Sequence, residues 1–572
     1  MHTNVLILKA EGNTHIKNGD YPAAIKSYNE ALRQTRSEAD AVTLLNNRCH
    51  ARLLSLQYEA ALADAEAVIE LSPSEKQAQE KAYFRAARAL YGLRRWEHAT
   101  SYISKLITTV NSNNKAANEL MARCLQRVNE ESGDYDFQSM LDEAVSKFPN
   151  ADMDRADFVG CIEIRECEIK SLGRGMFTTK DVAAGELLLC EKAMAVAFAD
   201  PNAFPEASGT MQGEDASAET KEVYADRRAE LEANTIAKLE PNPTLAAKFL
   251  ELYPGPDHKD QVDEKTGETV IDDSSITTRI AYNAFGFPLL THNLHYLTAH
   301  TPQNLPDSLT GSRGIWHRAS FINHSCYPLV RRSFIGDMMI FRAQANIPKD
   351  TELKFGYISG LEIWEERQKA LRRYGFECDC AVCVTEGETS EAVRGERFEC
   401  VKRIIDVFER GDVTAYERYT ELLDRLEGTY THPPQREYRR AMITPLTNLI
   451  TGCLQSGLHA QVIELTHRLL HALGFELEIT EQTYTIVQWG FLIDEIVVAM
   501  VDLVDAYAIM KPELVEDARR EARKCYLIMC GEDVSWEEVY GVGGRREREQ
   551  REEEKGERVE DIVDGVNGLE FV

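Results

Sequence analysis

The 572-residue sequence has no run of 18 or more apolar residues, so no stretch of it reads as a membrane-spanning helix. Met1 to Ala10 lack the basic-then-apolar order of a secretory signal, and a soluble chain of the cytoplasm or nucleus is expected. Basic charge is short as well: 65 Lys plus Arg face 94 Asp plus Glu, a net charge of −29 at pH 7. The phosphate-neutralising surface on which nucleic-acid binding depends is therefore missing from the composition, while a basic protein substrate is compatible with it. Thirteen cysteines, an odd number scattered over a long chain, do not read as a disulfide framework and fit reduced thiols with a metal site. What is present, 43% hydrophobic and 28% charged residues, suffices for several cores, and the length favours three or four domains.

The first regularity is a repeat. Tyr21, Ala24, Tyr28 and Ala31 correspond to Tyr58, Ala61, Ala65 and Val68, and again to Trp96, Ala99, Ile103 and Leu106. Small residues at one position of each unit let two helices approach, and the aromatic fills the space between them. The pattern resembles a tetratricopeptide array of three helical pairs over residues 5–128. Such pairs form a groove lined by the first helix of each unit, where Lys9 and Asn13 share one face, Lys81 and Arg85 another, and Asn47 falls between. These five positions match the carboxylate clamp of tetratricopeptide co-chaperones, which implies binding of the C-terminal acidic peptides of heat-shock chaperones. Lys and Arg supply charge and Asn supplies directional amide bonds, the donors that two carboxylates require. A solvated polar groove is the plainer reading.

After a linker, 129–157, with a short helical stretch to Phe148, short β-type runs alternate with turns. They include Gly173-Arg174-Gly175, where missing side chains permit close approach to a bulky ligand. Later come Phe321-Ile322-Asn323-His324-Ser325-Cys326, a hairpin from Leu329 to Ala343 turning at Gly336-Asp337, a strand ending at Gly356-Tyr357, and a helix from Glu362 to Arg373. Tyr374-Gly375-Phe376 and Cys378, Cys380 and Cys383 follow. The ordered series over 158–383 resembles the SET-domain lysine methyltransferases of the SET and MYND branch. That resemblance implies a β-rich, knot-like fold binding S-adenosylmethionine on one side and admitting a lysine of a histone or other protein from the other. By position, Gly173, Arg174, Gly175, Asn283, Asn323, His324 and Phe376 are expected at the cofactor, Tyr357 as the catalytic tyrosine, and Tyr374 on the lysine channel. Gly356, where the family often has a polar residue, is expected to loosen the backbone support of Tyr357.

Three clustered cysteines with Cys326 as a distant fourth suit a closed, structural Zn²⁺ site. The MYND finger of the branch is absent, since no cysteine lies between Cys190 and Cys326. An acidic, proline-punctuated insertion at 199–275 takes its place, with helical stretches near Glu219 to Leu239 and Thr244 to Leu252. Residues 391–532 return to helical patterning, including the apolar region Tyr484 to Tyr507, and 543–572 read as a solvated charged tail. The expected architecture is multidomain α+β: a helical repeat array, a β-rich SET domain with a zinc site, and a helical C-terminal domain. The expected function is S-adenosylmethionine-dependent protein-lysine methylation; a co-chaperone or scaffold adaptor with a weak SET domain is the alternative.

Overall fold

The computed structural model describes residues 2–168, 173–199, 218–256, 258–263, 269–300, 311–409 and 416–541. The N-terminal part is three helix-turn-helix pairs, α1 (His2–Lys17) with α2 (Tyr21–Gln34), α3 (Glu38–Leu54) with α4 (Tyr58–Leu71), and α5 (Lys76–Gly92) with α6 (Trp96–Lys105). A final helix, α7 (Lys115–Glu131), packs on the last pair. Asp20, Ser37 and Asn114 cap α2, α3 and α7 by accepting backbone N–H groups. The repeat alanines Ala24, Ala31, Ala61, Ala65 and Ala99 are fully buried. The aromatics sit in glycine notches: a Cβ on Gly12 would come within 2.5 Å of the Tyr28 ring, and Gly92 receives Tyr58 in the same way. Three pairs are therefore present, as the repeat predicts.

Residues 129–157 are a packed strap and not the loose connection that "linker" suggests. Helix α8 (Phe137–Ser146) and buried Ala151, Met153 and Ala156 seal the array to the central domain. Arg155 pairs with Glu130 and Glu143, and Lys192 bridges Asp152 at 2.7 Å and buried Asp337 at 2.6 Å.

The central domain strings short strands between insertions: β1 (Phe158–Val159), β2 (Ile162–Glu166), β3 (Arg174–Thr178), β4 (Leu187–Lys192) and β5 (Ala195–Ala197), then α9 (Ala218–Leu239), α10 (Pro243–Leu250) and α11 (Asp273–Asn283). It continues with β6 (Ala284–Phe287), α12 (Thr291–His300), β7 (Ser312–Ile315), β8 (Asn323–His324), β9 (Val330–Ile335), β10 (Met338–Ala343) and β11 (Glu352–Phe355). Three small sheets result, ordered β1-β4-β10-β9, β2-β3-β11-β8 and β5-β7-β6. The β9–β10 hairpin turns where expected. Strand β11 pairs antiparallel with β3 but parallel with β8, Lys354 opposite Asn323 and Phe355 opposite His324. A parallel pair needs a long crossover, and here the β9–β10 hairpin is that crossover. The insertion helices α9 and α10 form at the expected places and build their own small core, Leu231, Leu239 and Phe249 against β5 and β7. The described part of the acidic insertion is thus a folded lobe; residues 200–217, 257 and 264–268 of it lie outside the described residues.

Helices α13 (Trp364–Arg372), α14 (Ala381–Glu388), α15 (Glu391–Glu409), α16 (Tyr416–Glu427), α17 (Ile443–Gln455) and α18 (His459–Ala472) follow. The expectation of helix throughout the C-terminal part is corrected at one place. Glu476–Ile479 (β12) and Tyr484–Gln488 (β13) form an antiparallel hairpin, and only then does α19 (Asp494–Met510) begin, followed by α20 (Val515–Cys530) and α21 (Trp536–Val539). Tyr484 and Ile486 are buried while Thr485 and Val487 are less so, the two-residue period of a strand. Among the described residues no helix is long and apolar enough to cross a membrane. The charged tail at 543–572 lies outside the described residues.

Candidate active site and metal centre

Four sulfur atoms mark one end of the site. Cys326 follows β8, whereas Cys378 and Cys380 precede α14 and Cys383 lies in its first turn, yet all four Sγ atoms lie within 4.8 Å of one another, Cys326 and Cys383 at 3.4 Å. A tetrahedral Zn²⁺ with bonds of about 2.3 Å needs sulfur–sulfur edges of about 3.8 Å, so this set fits. Hydrogen bonds inside the cluster, first from Cys326, bring the Cys380 thiol down to about 6 and lower Cys378 as well, while Cys326 and Cys383, which keep the shared protons, are raised. A metal takes the thiolate form. Buried Arg367 adds a positive neighbour, its Nη2 3.5 Å from Cys383 Sγ.

His324 connects this cluster to Tyr357. Its Nδ1 accepts the Tyr357 backbone N–H at 3.0 Å, so the ring proton sits on Nε2, which lies 3.4 Å from Cys326 Sγ. The Tyr357 hydroxyl donates to the Ile322 carbonyl at 2.9 Å. Burial, then Tyr374, holds its pKa well above the ordinary value for tyrosine, so the group is a neutral phenol. Around it stand Tyr374 and Phe355, with ring centroids at 5.3 and 5.2 Å, and Phe376 at 6.3 Å. Gly356 does not loosen this tyrosine, because both its N–H and its hydroxyl are fastened. A Cβ on Gly356 would sit 2.9 Å from the Ile358 carbonyl, which is the reason for glycine there.

The other end is the glycine loop. Gly173 has a φ of 64°, in the left-handed region, and open space where a side chain would project. A Cβ on Gly175 would meet Cys167 Sγ at 2.8 Å, Glu352 Oε1 at 2.9 Å and Asn323 Nδ2 at 3.2 Å. Asn323 donates to Glu352 at 2.8 Å, and its Oδ1 accepts no hydrogen bond among the described residues. Arg174 stacks on Phe321 at 4.4 Å and donates to the Glu251 carbonyl, while Asn283 donates to the Tyr253 carbonyl at 2.8 Å. Arg174 and Asn283 are thus brought together through the 251–253 segment of the insertion. An open glycine cradle beside an unengaged amide oxygen fits a nucleoside-type cofactor with hydrogen-bond donors.

The SET domain family matches residues 173–358, the span that carries β3, β8, β11 and Tyr357. A protein of Gibberella zeae named methyltransferase is 30% identical over 549 residues, covering 93% of this chain and 73% of that protein. The chain belongs to the SET-domain methyltransferases. Histone-lysine N-methyltransferase SMYD3 of Mus musculus is 37% identical over 84 residues, 14% of this chain and 20% of that protein. A solved structure of the second TPR domain of human RPAP3 in complex with an HSP70 peptide is 25% identical, covers 22% of this chain and 97% of that one, and has a TM-score of 0.20.

In this methyltransferase the groove residues fall on first helices as expected: Lys9 and Asn13 on α1, Asn47 on α3, Lys81 and Arg85 on α5. Asn13 Oδ1 accepts from Asn47 at 3.1 Å and from the Tyr28 hydroxyl at 2.7 Å, so both amides are pre-positioned. Arg85 is turned onto Asn46, donating to its carbonyl and to its side chain. Sequence reasoning missed Cys167, Glu352 and Glu251. Glu352 begins the strand that ends beside Tyr357, so strand alternation could have found it. Cys167 reaches Asn323 across 156 positions and left no local signal.

Proposed function

We propose that this protein transfers methyl groups from S-adenosylmethionine to lysine side chains of proteins, in the cytoplasm or nucleus, with the N-terminal array as the peptide-binding arm. The observation that supports this best is the parallel β8–β11 pairing, which sets Asn323-His324 beside Phe355 and Tyr357 at the wall of four thiols. Gly173, Arg174, Gly175, Asn323, His324 and Asn283 would hold the cofactor, with Phe376 against it. When bound, the cofactor supplies an electrophilic methyl group in line with the attacking amine.

The residues of the chain contribute alignment and dryness. The Tyr357 hydroxyl directs its hydrogen at the Ile322 carbonyl, so its oxygen lone pairs are left to accept an N–H from the entering amine and to aim the attacking lone pair. A phenol held protonated is not the base. The apolar surroundings of Phe355, Tyr374 and Phe376 disfavour an ammonium, and water carries off the proton. Cys326, Cys378, Cys380 and Cys383 would hold a structural Zn²⁺, which would tie the segment carrying Tyr374 and Phe376 to the turn after β8. Radiolabelled S-adenosylmethionine and a protein library test this reading: Tyr357→Phe should abolish labelling, and undiminished labelling would refute the role of the phenol.

The adaptor reading draws on the groove, where Asn13 and Asn47 are pre-set for a C-terminal acidic chaperone peptide. Calorimetry with S-adenosylmethionine separates the two, since folded, zinc-loaded protein that binds no cofactor is an adaptor.

A further inference from the structure

Arg331 and Arg332 are successive residues of β9 and therefore point to opposite faces. Arg331 turns to Asp494, 3.6 Å away. Arg332 turns to the aromatic wall of the active site, its guanidinium carbon 5.6 Å from the Phe285 ring centroid and 5.1 Å from that of Phe355. Phe355 is in turn the immediate neighbour of Tyr357. A full positive charge thus stands one ring away from the phenol, at the edge of a pocket expected to receive a cationic side chain.

Nearby arginines find carboxylates: Arg318 meets Asp157 and Glu191, and Arg367 meets Glu386. The side chain of Arg332 makes neither an ion pair nor a hydrogen bond among the described residues. Half-buried, it is shielded enough for the missing partner to cost free energy and open enough for one to arrive. Burial, with Arg331 adding its charge, lowers its pKa to about 10, and Tyr374 offsets this only in part.

We infer that Arg332 is a specificity-determining residue that receives a carboxylate of the protein substrate beside the target amine. This rests on the methyl-transfer reading for what enters the pocket. The planar guanidinium fork matches a carboxylate in two parallel hydrogen bonds, and an Asp or Glu flanking the target cancels the charge that would repel the approaching lysine. Basic flanks are disfavoured for the same reason.

The test uses full-length, zinc-loaded protein and fluorescein-labelled peptides carrying one lysine flanked by Asp, by Ala or by Arg. In fluorescence anisotropy the Asp-flanked peptide should bind on the order of 10- to 100-fold more tightly than the Ala-flanked one. Arg332→Met should reduce that ratio to near one, Arg332→Lys should restore part of it, and Arg332→Glu should turn the preference toward Arg. Equal or undetectable binding of all peptides by the wild type, or a ratio unchanged in Arg332→Met, overturns the proposal. Melting curves and zinc content establish that each variant is folded, and Arg332→Gln replaces Arg332→Met if the latter is not. Labelling of the same peptides by radiolabelled S-adenosylmethionine is read separately: no label sinks the methyl-transfer reading, while the binding ratio decides the role of Arg332.

Discussion

In the N-terminal array Tyr28 reaches Asn13 across 15 positions of sequence, whereas in the central domain Asn323 reaches Cys167 across 156 and Asp337 reaches the Met153 backbone across 184. The array is built of neighbours and closes only short loops on folding, so each helical pair assembles at small entropic cost. The methyltransferase centre is built of strangers. Its sheets have as few as two paired residues per strand, as at β8 and β11, and so little backbone pairing cannot by itself hold such distant segments together. Four clustered thiols that could hold a metal ion, and buried charges, join them instead, which makes the centre conditional on chemistry in a way the array is not.

The most drastic way to break this contrast is to remove the metal. Structural Zn²⁺ contributes about 10–16 kcal/mol in small zinc domains. Cys380→Ser or a strong chelator should take zinc from about one per chain to none and abolish methyl transfer, with the array still helical by circular dichroism. Array and centre melting together in the stripped protein would contradict the separation.

A smaller effect comes from Glu191, buried where the strap meets the centre, its carboxylate accepting the N–H groups of Arg318 and Ala319 at 2.8 and 3.0 Å. Burial, then Asp157, pushes its pKa from 4.5 up to about 7. The folded state thus holds this proton more tightly than the unfolded one. Its stabilising contribution is present below about pH 4.5 and is lost as pH rises through about 7, a difference of about 3 kcal/mol. Denaturant titrations at about pH 5 and about pH 8 should show that slope in the wild type and a flatter one in Glu191→Gln. Parallel slopes would place the titration elsewhere.

Legibility in the sequence follows the same division. The repeat alanines and aromatics announce the array because their partners lie in the same or the adjoining helical pair. In the centre, the Asn323-His324, Tyr357 and Cys378-Cys380-Cys383 segments were each readable, but what joins them was not. Glu352 and Cys167 meet only through β2–β3–β11 pairing, and the free charge of Arg332 is visible only once its neighbours are known. The β12–β13 hairpin was lost for a local reason: Tyr484 and Ile486 alternate for only a few residues before the apolar run of α19, so the short period merged with the long one.

Gly175→Ala sharpens the contrast at the scale of one methyl group. The new Cβ would press on Cys167 Sγ at 2.8 Å and Glu352 Oε1 at 2.9 Å, so Asn323 must give way. Overpacking of this kind costs about 1–3 kcal/mol, and calorimetry should show S-adenosylmethionine binding weakened by about tenfold or more, with peptide binding by the array unchanged.

The gentlest change is Lys81→Glu on α5. The side chain is exposed and Lys81 makes no ion pair among the described residues, so stability should stay within about 0.5 kcal/mol. What changes is the sign of the groove at the place where a peptide carboxylate would sit, opposite the paired Asn13 and Asn47. A C-terminal acidic chaperone peptide should therefore bind on the order of tenfold or more weakly, with labelling of a lysine peptide by the centre unaffected. Unchanged peptide affinity would leave α1, α3 and α5 with a polar groove and no clamp. A parallel loss of labelling would mean that array and centre act on one substrate together, since Lys81 is exposed and has no ion pair among the described residues through which its charge reversal would act.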